Sequence, residues 1–273
     1  MTLSSEYPNI EVIGQLDQSG NCFIESRVHG LFACLYCIIY GLFICHKENL
    51  NGIVRLGKEH LYYHPSAGEN VFEYFFKQSE ATNASMTIRV NNPSPLLKWC
   101  HISTIDKKRA NFMIERKLNL RDEINELIYT FKEKNFGDGN TLGVHYRGRD
   151  KKTETTLLPF DYYFEKIDEI LDKGICTKFF FCTDELSLRE IVQLRYKEKV
   201  IMYKLEDTTI DMALPADQGL HLISKAPHLQ AKDALIETYL LSLCTLLLSS
   251  SSSSMSIFAT YLNPNILHIP LER

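Results

Sequence analysis

The sequence lacks an uncharged apolar segment long enough to cross a membrane. Its most apolar stretch, Gly30 to Cys45, contains no charged residue but is shorter than the roughly 20 apolar residues that a spanning helix needs. It therefore predicts a buried helix. The N-terminus also lacks a basic start followed by an apolar run, which is the pattern of a secretory signal. We therefore expect a cytoplasmic protein with no stable membrane span.

Several short motifs that mark well-known sites are also absent. The sequence contains no G-x-G-x-x-G, no G-x-x-x-x-G-K-[ST] and no G-x-S-x-G, which excludes a dinucleotide fingerprint, a Walker loop and a nucleophile elbow. It has no Asp-x-Asp pair that could hold a divalent ion on a diphosphate. If a diphosphate binds to this protein, then Arg, Lys, Ser and backbone N–H groups must hold it.

Charge and cysteine content exclude two further classes of site. Lys and Arg number 30 against 34 Asp and Glu, a net charge of −4, which argues against binding along a nucleic-acid backbone. Three of the eight cysteines, Cys34, Cys37 and Cys45, lie in the apolar stretch, where thiols usually act as small hydrophobes. We therefore expect a reducing compartment. Cys34 and Cys37 have the spacing of a zinc-binding pair, but no second pair follows, so we predict no metal site.

The second half of the sequence alternates between strand and helix patterns. Predicted strands cover 141–147, 178–183, 200–203, 245–248 and 266–269, and predicted helices cover 159–174, 185–196, 232–244 and 253–262. Short apolar runs separated by helices of this length are typical of a parallel sheet that is covered by helices on both faces. We therefore predict an α/β fold for this half.

The first half is less regular. The pattern predicts a long helix over Arg27–His46 and a short strand over Gly52–Arg55. Apolar residues at helical spacing predict another helix between Ala110 and Lys134, with charged residues on its other face. We place the boundary between the halves at the end of this helix. The predicted domains are therefore residues 1–134 and 135–273.

Three polar clusters lie where predicted strands end. They are His145–Glu154, Thr183–Glu185 and the serine run Ser249–Ser254. Ligands of parallel sheets bind beyond the carboxyl ends of the strands, and basic side chains and a helix N-terminus favour an anion. Each cluster also has a simpler interpretation, respectively a solvated loop, a helix cap at Asp184 and a flexible linker. Apolar residues on both sides of the serine run argue against the linker.

The first cluster contains a motif that resembles a known family. His145-Tyr-Arg147-Gly-Arg-Asp150-Lys151 is similar to the H-x-R-x-x-D-K motif of the fucosyltransferase superfamily, which includes nodulation fucosyltransferases, α-1,6-fucosyltransferases and protein O-fucosyltransferases. Four further segments resemble elements of that family in the same order. They are Gly20–Gly41, Glu69–Phe76, Phe181–Glu185 and Ala234–Phe258.

The resemblance implies both a fold and an activity. The fold would be α/β and GT-B-like, with two Rossmann-like halves whose parallel sheets face each other across a cleft. The activity would be that of a metal-independent, inverting glycosyltransferase that moves L-fucose from GDP-fucose to a hydroxyl of a glycan or protein. The N-terminal half would hold the acceptor and the C-terminal half the nucleotide sugar. No cofactor is implied beyond the donor substrate.

The resemblance also assigns roles to individual residues. The catalytic residues would be Arg147, which stabilises the departing diphosphate, and Glu154, which acts as general base toward the acceptor; His29 would lie on the acceptor side. Among the donor-binding residues, Asp184 would hold a loop and Glu237 would recognise guanine. The full predicted donor-binding set is His145, Asp150, Lys151, Asp184, Glu237, Ser252 and Ser253.

Departures from the family pattern leave alternatives open. Arg149 stands where Thr or Ser is common, Gly148 stands where some members carry a second Arg, and Glu154 is one residue closer to the aspartate than the family spacing. The donor could therefore be a different nucleotide sugar, with UDP or another GDP-linked sugar. A non-catalytic module that binds glycans or nucleotides is the alternative from a different class, because a fold does not secure an activity.

Overall fold

The computed structural model describes residues 10–15, 17–26, 30–78, 83–91, 107–149, 158–209, 218–250 and 253–271. The chain divides into two compact units, Met1–Arg121 and Asp122–Arg273, and each combines helices with a sheet. None of the described helices is both long and apolar enough to cross a membrane.

The first unit contains a four-stranded sheet with the order β1-β5-β2-β3. Its strands and helices are β1 (Ile10–Gly14), β2 (Asn21–Ser26), α1 (Leu31–Lys47), β3 (Asn51–Val54), β4 (Phe76–Lys77), β5 (Met86–Val90), α2 (Lys107–Lys117) and β6 (Asn119–Leu120). Strand β2 runs parallel to both β3 and β5, whereas β1 runs antiparallel to β5. The parallel sheet predicted for this half therefore holds for three strands and not for β1. Only Ile10 of β1 is buried, and such an edge strand needs no crossover helix.

Helix α1 is the buried helix that the apolar stretch predicts. Most of its residues are buried because it packs directly on the sheet. At Gly41 an added Cβ would lie only 2.6 Å from Ile24 Cγ2 of β2, so the helix approaches the sheet more closely there than a side chain would permit. The cysteines in the described ranges are free thiols. Cys34 and Cys45 are fully buried, and Cys34 Sγ lies 3.2 Å from His60 Nε2.

The second unit contains a five-stranded sheet in which all neighbouring strands are parallel. Its elements are α3 (Asp122–Asn135), β7 (Thr141–Tyr146), α4 (Phe160–Asp172), β8 (Lys178–Thr183), α5 (Leu186–Tyr196), β9 (Val200–Ile201), α6 (Leu220–Ile223), α7 (Pro227–Ser242), β10 (Leu246–Ser250), α8 (Ser254–Leu262) and β11 (Leu267–Leu271). The parallel sheet predicted for this half is confirmed.

The strand order of this sheet is β11-β10-β7-β8-β9. Strands β8 and β9 therefore follow one another on one side of β7, and strands β10 and β11 follow one another on its other side. Strands β7 and β10 are neighbours whose following connections leave in opposite directions. In doubly wound sheets this switch point is where a crevice forms beyond the carboxyl ends of the strands.

Both faces of the second sheet are covered. On one face, Val144 and Phe181 pack with Ile167 of α4 and Val192 of α5 in a single apolar core. On the other face, the ring of Phe180 contacts aromatic rings from α3 and its C-terminal end. The alternation of side chains along β8 thus supplies apolar contacts to both layers.

The boundary between the units lies before α3, and the predicted domain boundary lies at its other end. Helix α3 packs against α7 of the second unit, and its Phe131 ring lies 6.0 Å from the ring of Phe180 and 5.7 Å from that of Tyr203. The single predicted helix over 110–134 is also two helices. They are separated by Leu118–Arg121, where β6 pairs with β4.

Candidate active site

Polar side chains from three loops meet at the switch point of the second sheet. His145 stands opposite Ser249 in the pairing of β7 with β10, and opposite Cys182 in the pairing of β7 with β8. Arg147 follows β7 directly, and Asp184 follows β8. Because these strands are parallel, their carboxyl ends lie at one edge of the sheet. The described polar residues of all three predicted clusters therefore lie at this edge.

His145 is held by two serine hydroxyls. Its Nδ1 lies 2.7 Å from Ser256 Oγ and 3.3 Å from Ser253 Oγ, and the imidazole is almost completely buried. Burial, reinforced by the charge of Arg147, lowers the pKa of His145 to about 3. The ring is therefore neutral at physiological pH and offers a fixed hydrogen-bonding group rather than a charge.

Arg147 carries a charged group that a ligand can reach. Its guanidinium Nε lies 3.9 Å from Asp184 Oδ2, and the side chains are 29% and 18% exposed, respectively. The other carboxylate oxygen of Asp184 accepts a hydrogen bond of 2.8 Å from the backbone N–H of Gly148. Asp184 therefore fixes the loop that carries Arg147. A capping role does not explain Asp184, because the N-cap position of α5 is Glu185.

Gly148 is a glycine because two side chains occupy the space that a Cβ would take. An added Cβ would overlap the carboxylate of Glu185 and lie 2.7 Å from Tyr146 Cε1. The second arginine that some members of the resembling family carry at this position would require Glu185 and Tyr146 to move. The next residue, Arg149, is buried, and its Nε donates a hydrogen bond of 2.8 Å to the carbonyl oxygen of Gln218.

Helix α8 begins at the same edge of the sheet. Ser253 is its N-cap residue, but the Ser253 hydroxyl contacts His145 instead of capping the helix. The backbone N–H groups of a first helical turn lack partners within the helix and carry partial positive charge. Together with Arg147, they form a surface suited to a phosphate or diphosphate.

Glu237 lies on α7 in a buried ion pair. Its Oε1 is 3.0 Å from Arg189 Nη1, and the side chains of Glu237 and Arg189 are 8% and 15% exposed. Burial raises the pKa of Glu237 to about 7, although the neighbouring Arg189 opposes this rise. Near neutral pH this carboxyl group therefore lies close to the point where it changes charge.

The structure brings together five of the predicted site residues at this sheet. Four of them surround the switch point, namely His145, Ser253, Arg147 and Asp184. Glu237 lies on α7, near enough to Cys182 of β8 for its charge to act on that thiol. The other predicted site residues lie outside the described residues. These are His29, Asp150, Lys151, Glu154 and Ser252.

Two residues of this region do not figure among the sequence-based predictions. Ser256 makes the shorter contact to His145, and its position three residues after Ser253 on a predicted helix is a signal that could have indicated a shared helix face. Arg189 pairs with Glu237 across two helices. No pattern in the sequence indicates that pair.

No protein-family model and no curated protein sequence matches the chain, but several solved structures have a similar fold. The chain has a fucosyltransferase-like fold. The fucosyltransferase NodZ from Bradyrhizobium superposes with a TM-score of 0.59 at 16% identity, over 92% of this chain and 96% of that one. A NodZ α-1,6-fucosyltransferase co-crystallised with GDP gives the same TM-score and identity, over 92% and 94%. A variant of FUT1 from Arabidopsis thaliana in complex with GDP gives 0.53 at 12% identity, over 92% and 70%.

Proposed function

We propose that this protein is a metal-independent, inverting glycosyltransferase that transfers L-fucose from GDP-fucose to a hydroxyl of a glycan or protein. The observation that carries the proposal is the group formed by His145, Arg147, Asp184 and Ser253 at the switch point of the second sheet. The fold supports it, because solved structures of this fold include fucosyltransferases in complex with GDP.

In this proposal the second unit binds the donor. Arg147 and the N-terminus of α8 bind the diphosphate and offset the charge that develops as GDP leaves. The fixed fork of the guanidinium suits two phosphate oxygens. Asp184 contributes by holding the Gly148 N–H and hence the loop that carries Arg147.

The nucleoside end of the donor would meet two further side chains. His145 offers a neutral ring that two serines hold in place. Glu237 offers a carboxylate to the N–H donors on the amide edge of guanine. A base without this pair of adjacent donors would leave the buried carboxylate less well satisfied, which is a source of selectivity.

The remaining assignments follow from the family resemblance. Asp150, Lys151 and Ser252 would contribute to the donor site, Glu154 would take the proton of the acceptor hydroxyl, and His29 would lie on the acceptor side. The two units would form the two halves of a GT-B-like enzyme, with the acceptor in the first and the donor in the second.

A nucleotide panel and a product analysis test this function. Thermal shift with GDP, UDP and ADP identifies the base, because a ligand that binds only the folded state raises the melting temperature by mass action. Mass spectrometry after incubation with GDP-fucose and a mixed acceptor library identifies transfer. We expect GDP to stabilise the protein and a fucosylated product to form.

Two outcomes would replace this function with another. Stabilisation by UDP and not by GDP would indicate a transferase with a different donor. Stabilisation by GDP without hydrolysis or transfer for any acceptor would indicate a binding module. Arg195→Ala is the matched control for a substitution of Arg147, because the partner of Arg195 is the half-exposed Asp168 on the outer surface of the second unit.

A further inference from the structure

Arg189 connects three elements of the second unit through a single guanidinium group. It belongs to α5, its Nη1 donates to Glu237 Oε1 of α7 at 3.0 Å, and its Nη2 donates to the carbonyl oxygen of Tyr203, which follows β9. The planar fork of the guanidinium holds both partners in one geometry. The Glu237 carboxylate is therefore fixed in orientation from outside its own helix.

The second oxygen of Glu237 is left for another donor. Among the described residues, no hydrogen bond reaches Glu237 Oε2, although the side chain is only 8% exposed. Oε2 is not among the fully buried polar atoms that lack a partner, so a ligand can approach it. A ligand that brings N–H groups to this oxygen would satisfy it, and Oε1 can also accept one further hydrogen bond.

Glu237 lies beside the same sheet edge as His145. Burial raises the pKa of the Cys182 thiol and the charge of Glu237 raises it further, and Cys182 pairs directly with His145 in the sheet. Side chains that are directly opposite in neighbouring strands lie on the same face. His145, Cys182 and Glu237 thus follow one another across one face of the sheet, on the side covered by α7.

We infer that Arg189 is a positioning residue that sets the base specificity of the donor site, by holding Glu237 as an ionised acceptor for two adjacent N–H donors. This inference rests on the proposed function, because the base is taken to lie against Glu237. Guanine presents N1–H and N2–H side by side. Adenine presents one donor beside an acceptor, and uracil presents a single N–H between two carbonyl groups, so neither base offers the same pair.

The protonation of Glu237 depends on the groups that surround it. Arg189 of α5 favours the ionised form, whereas Asp233 one turn earlier on α7 disfavours it. The other titratable groups near Glu237 are Tyr203 after β9 and Cys182 of β8. Both have a raised pKa and are neutral at physiological pH. Arg189 is therefore the one cation among these described groups, and its removal raises the pKa of Glu237 further. Less of the carboxylate then remains ionised near neutral pH.

The test measures GDP affinity by calorimetry between pH 6 and 8.5 for the whole chain. For the wild type, we expect the affinity to rise as Glu237 ionises. For Arg189→Met, we expect this rise to move to higher pH and the affinity near pH 7 to fall about fivefold or more, since a rise of one unit from a pKa of about 7 lowers the ionised fraction at pH 7 from about one half to about one eleventh. Arg189→Lys keeps the charge and should keep the pH midpoint near that of the wild type.

Glu237→Gln provides the background that isolates this effect. It removes the ionisation, so any pH dependence that remains belongs to the phosphates and to other groups. On that background, Arg189→Met should change GDP affinity much less than it does in the wild type, because the two residues act through one contact. Inosine diphosphate, which lacks the 2-amino group, should bind more weakly than GDP to the wild type, and this preference should shrink in Arg189→Met.

Arg195→Met is the matched control, since it makes the same substitution one turn and a half later on α5 in an exposed ion pair. It should leave affinity and pH profile unchanged. An unchanged pH midpoint in Arg189→Met, or an effect of equal size on the Glu237→Gln background, would overturn the role of Arg189. A wild type that fails to prefer GDP over UDP and ADP would instead overturn the proposed function.

Discussion

Substitution of Gly148 by alanine tests whether the loop after β7 depends on close packing. The added Cβ would meet the Glu185 carboxylate and the ring of Tyr146 at once. Glu185 can move, because its carboxylate is the far end of a flexible side chain. The ring of Tyr146 cannot easily retreat, because it packs edge-on against the rings of Phe160 and Tyr163 at 5.0 Å and 5.1 Å.

The expected loss of stability has two sources. Overpacking against a ring that is held in place costs about 1–3 kcal/mol. A shift of the loop would also lengthen the hydrogen bond from the Gly148 N–H to Asp184, and hydrogen bonds to charged groups contribute about 1.5–3 kcal/mol. Each kcal/mol corresponds to a decrease of about 2–4 °C in melting temperature for a unit of this size.

Differential scanning calorimetry of the whole chain measures this effect. Gly139→Ala is the matched control, because its Cβ would meet Thr177 Oγ1 at an ordinary 3.4 Å. The double variant Gly148→Ala with Glu185→Ala removes the flexible partner and leaves Tyr146. If Gly148→Ala melts like the wild type, or if the double variant recovers fully, then the ring of Tyr146 does not limit this loop and the reasoning is refuted.

Three further predictions concern the same unit. Arg147→Ala should reduce transfer by about 10²–10³-fold with an unchanged melting temperature, and full activity in that variant would contradict the proposed role. Ser256→Ala should lower the free energy of unfolding by about 1–2 kcal/mol in urea titrations, because it removes the 2.7 Å contact to buried His145, whereas Ser187→Ala on the exposed face of α5 should not. Burial raises the pKa of Asp233 from 3.8 to about 6, so the folded state binds the proton of Asp233 more tightly than the unfolded state does. The protonated carboxyl group therefore contributes to stability below about pH 4, and this contribution is lost as the pH rises through about 6. Asp233→Asn should flatten the pH dependence of the unfolding free energy between pH 4 and 6, and an unchanged slope would count against a buried Asp233.

Much of the second unit is predictable from local patterns. The strand over Lys178–Thr183 has the predicted bounds, because a short apolar run with turn residues on both sides has few other structures available. The helix that follows Pro159 also forms where it was predicted, but it is shorter and covers Phe160–Asp172. The parallel sheet follows from the alternation of these elements, and the polar residues at its carboxyl edge follow from the sheet.

The first unit was less predictable for a physical reason. Strands β1 and β2 were absent from the predicted elements, and β1 is stabilised by pairing with β5, more than 70 residues later. Helix α3 has the predicted periodicity, but the periodicity does not specify which sheet its apolar face covers. In the structure this face covers the sheet of the second unit, where the ring of Phe131 packs against that of Phe180.

The sequence alone determined the class of the fold, the edge of the sheet at which polar groups collect, and the residue types available there. These properties depend on composition and on spacing along the chain, which do not change on folding. Only the tertiary structure decided which polar atoms meet. His145 and Ser256 are 111 residues apart and Arg189 and Glu237 are 48 apart, so their contacts depend on how helices pack across the sheet. That packing is cooperative over the whole unit, and no local segment of the sequence encodes it.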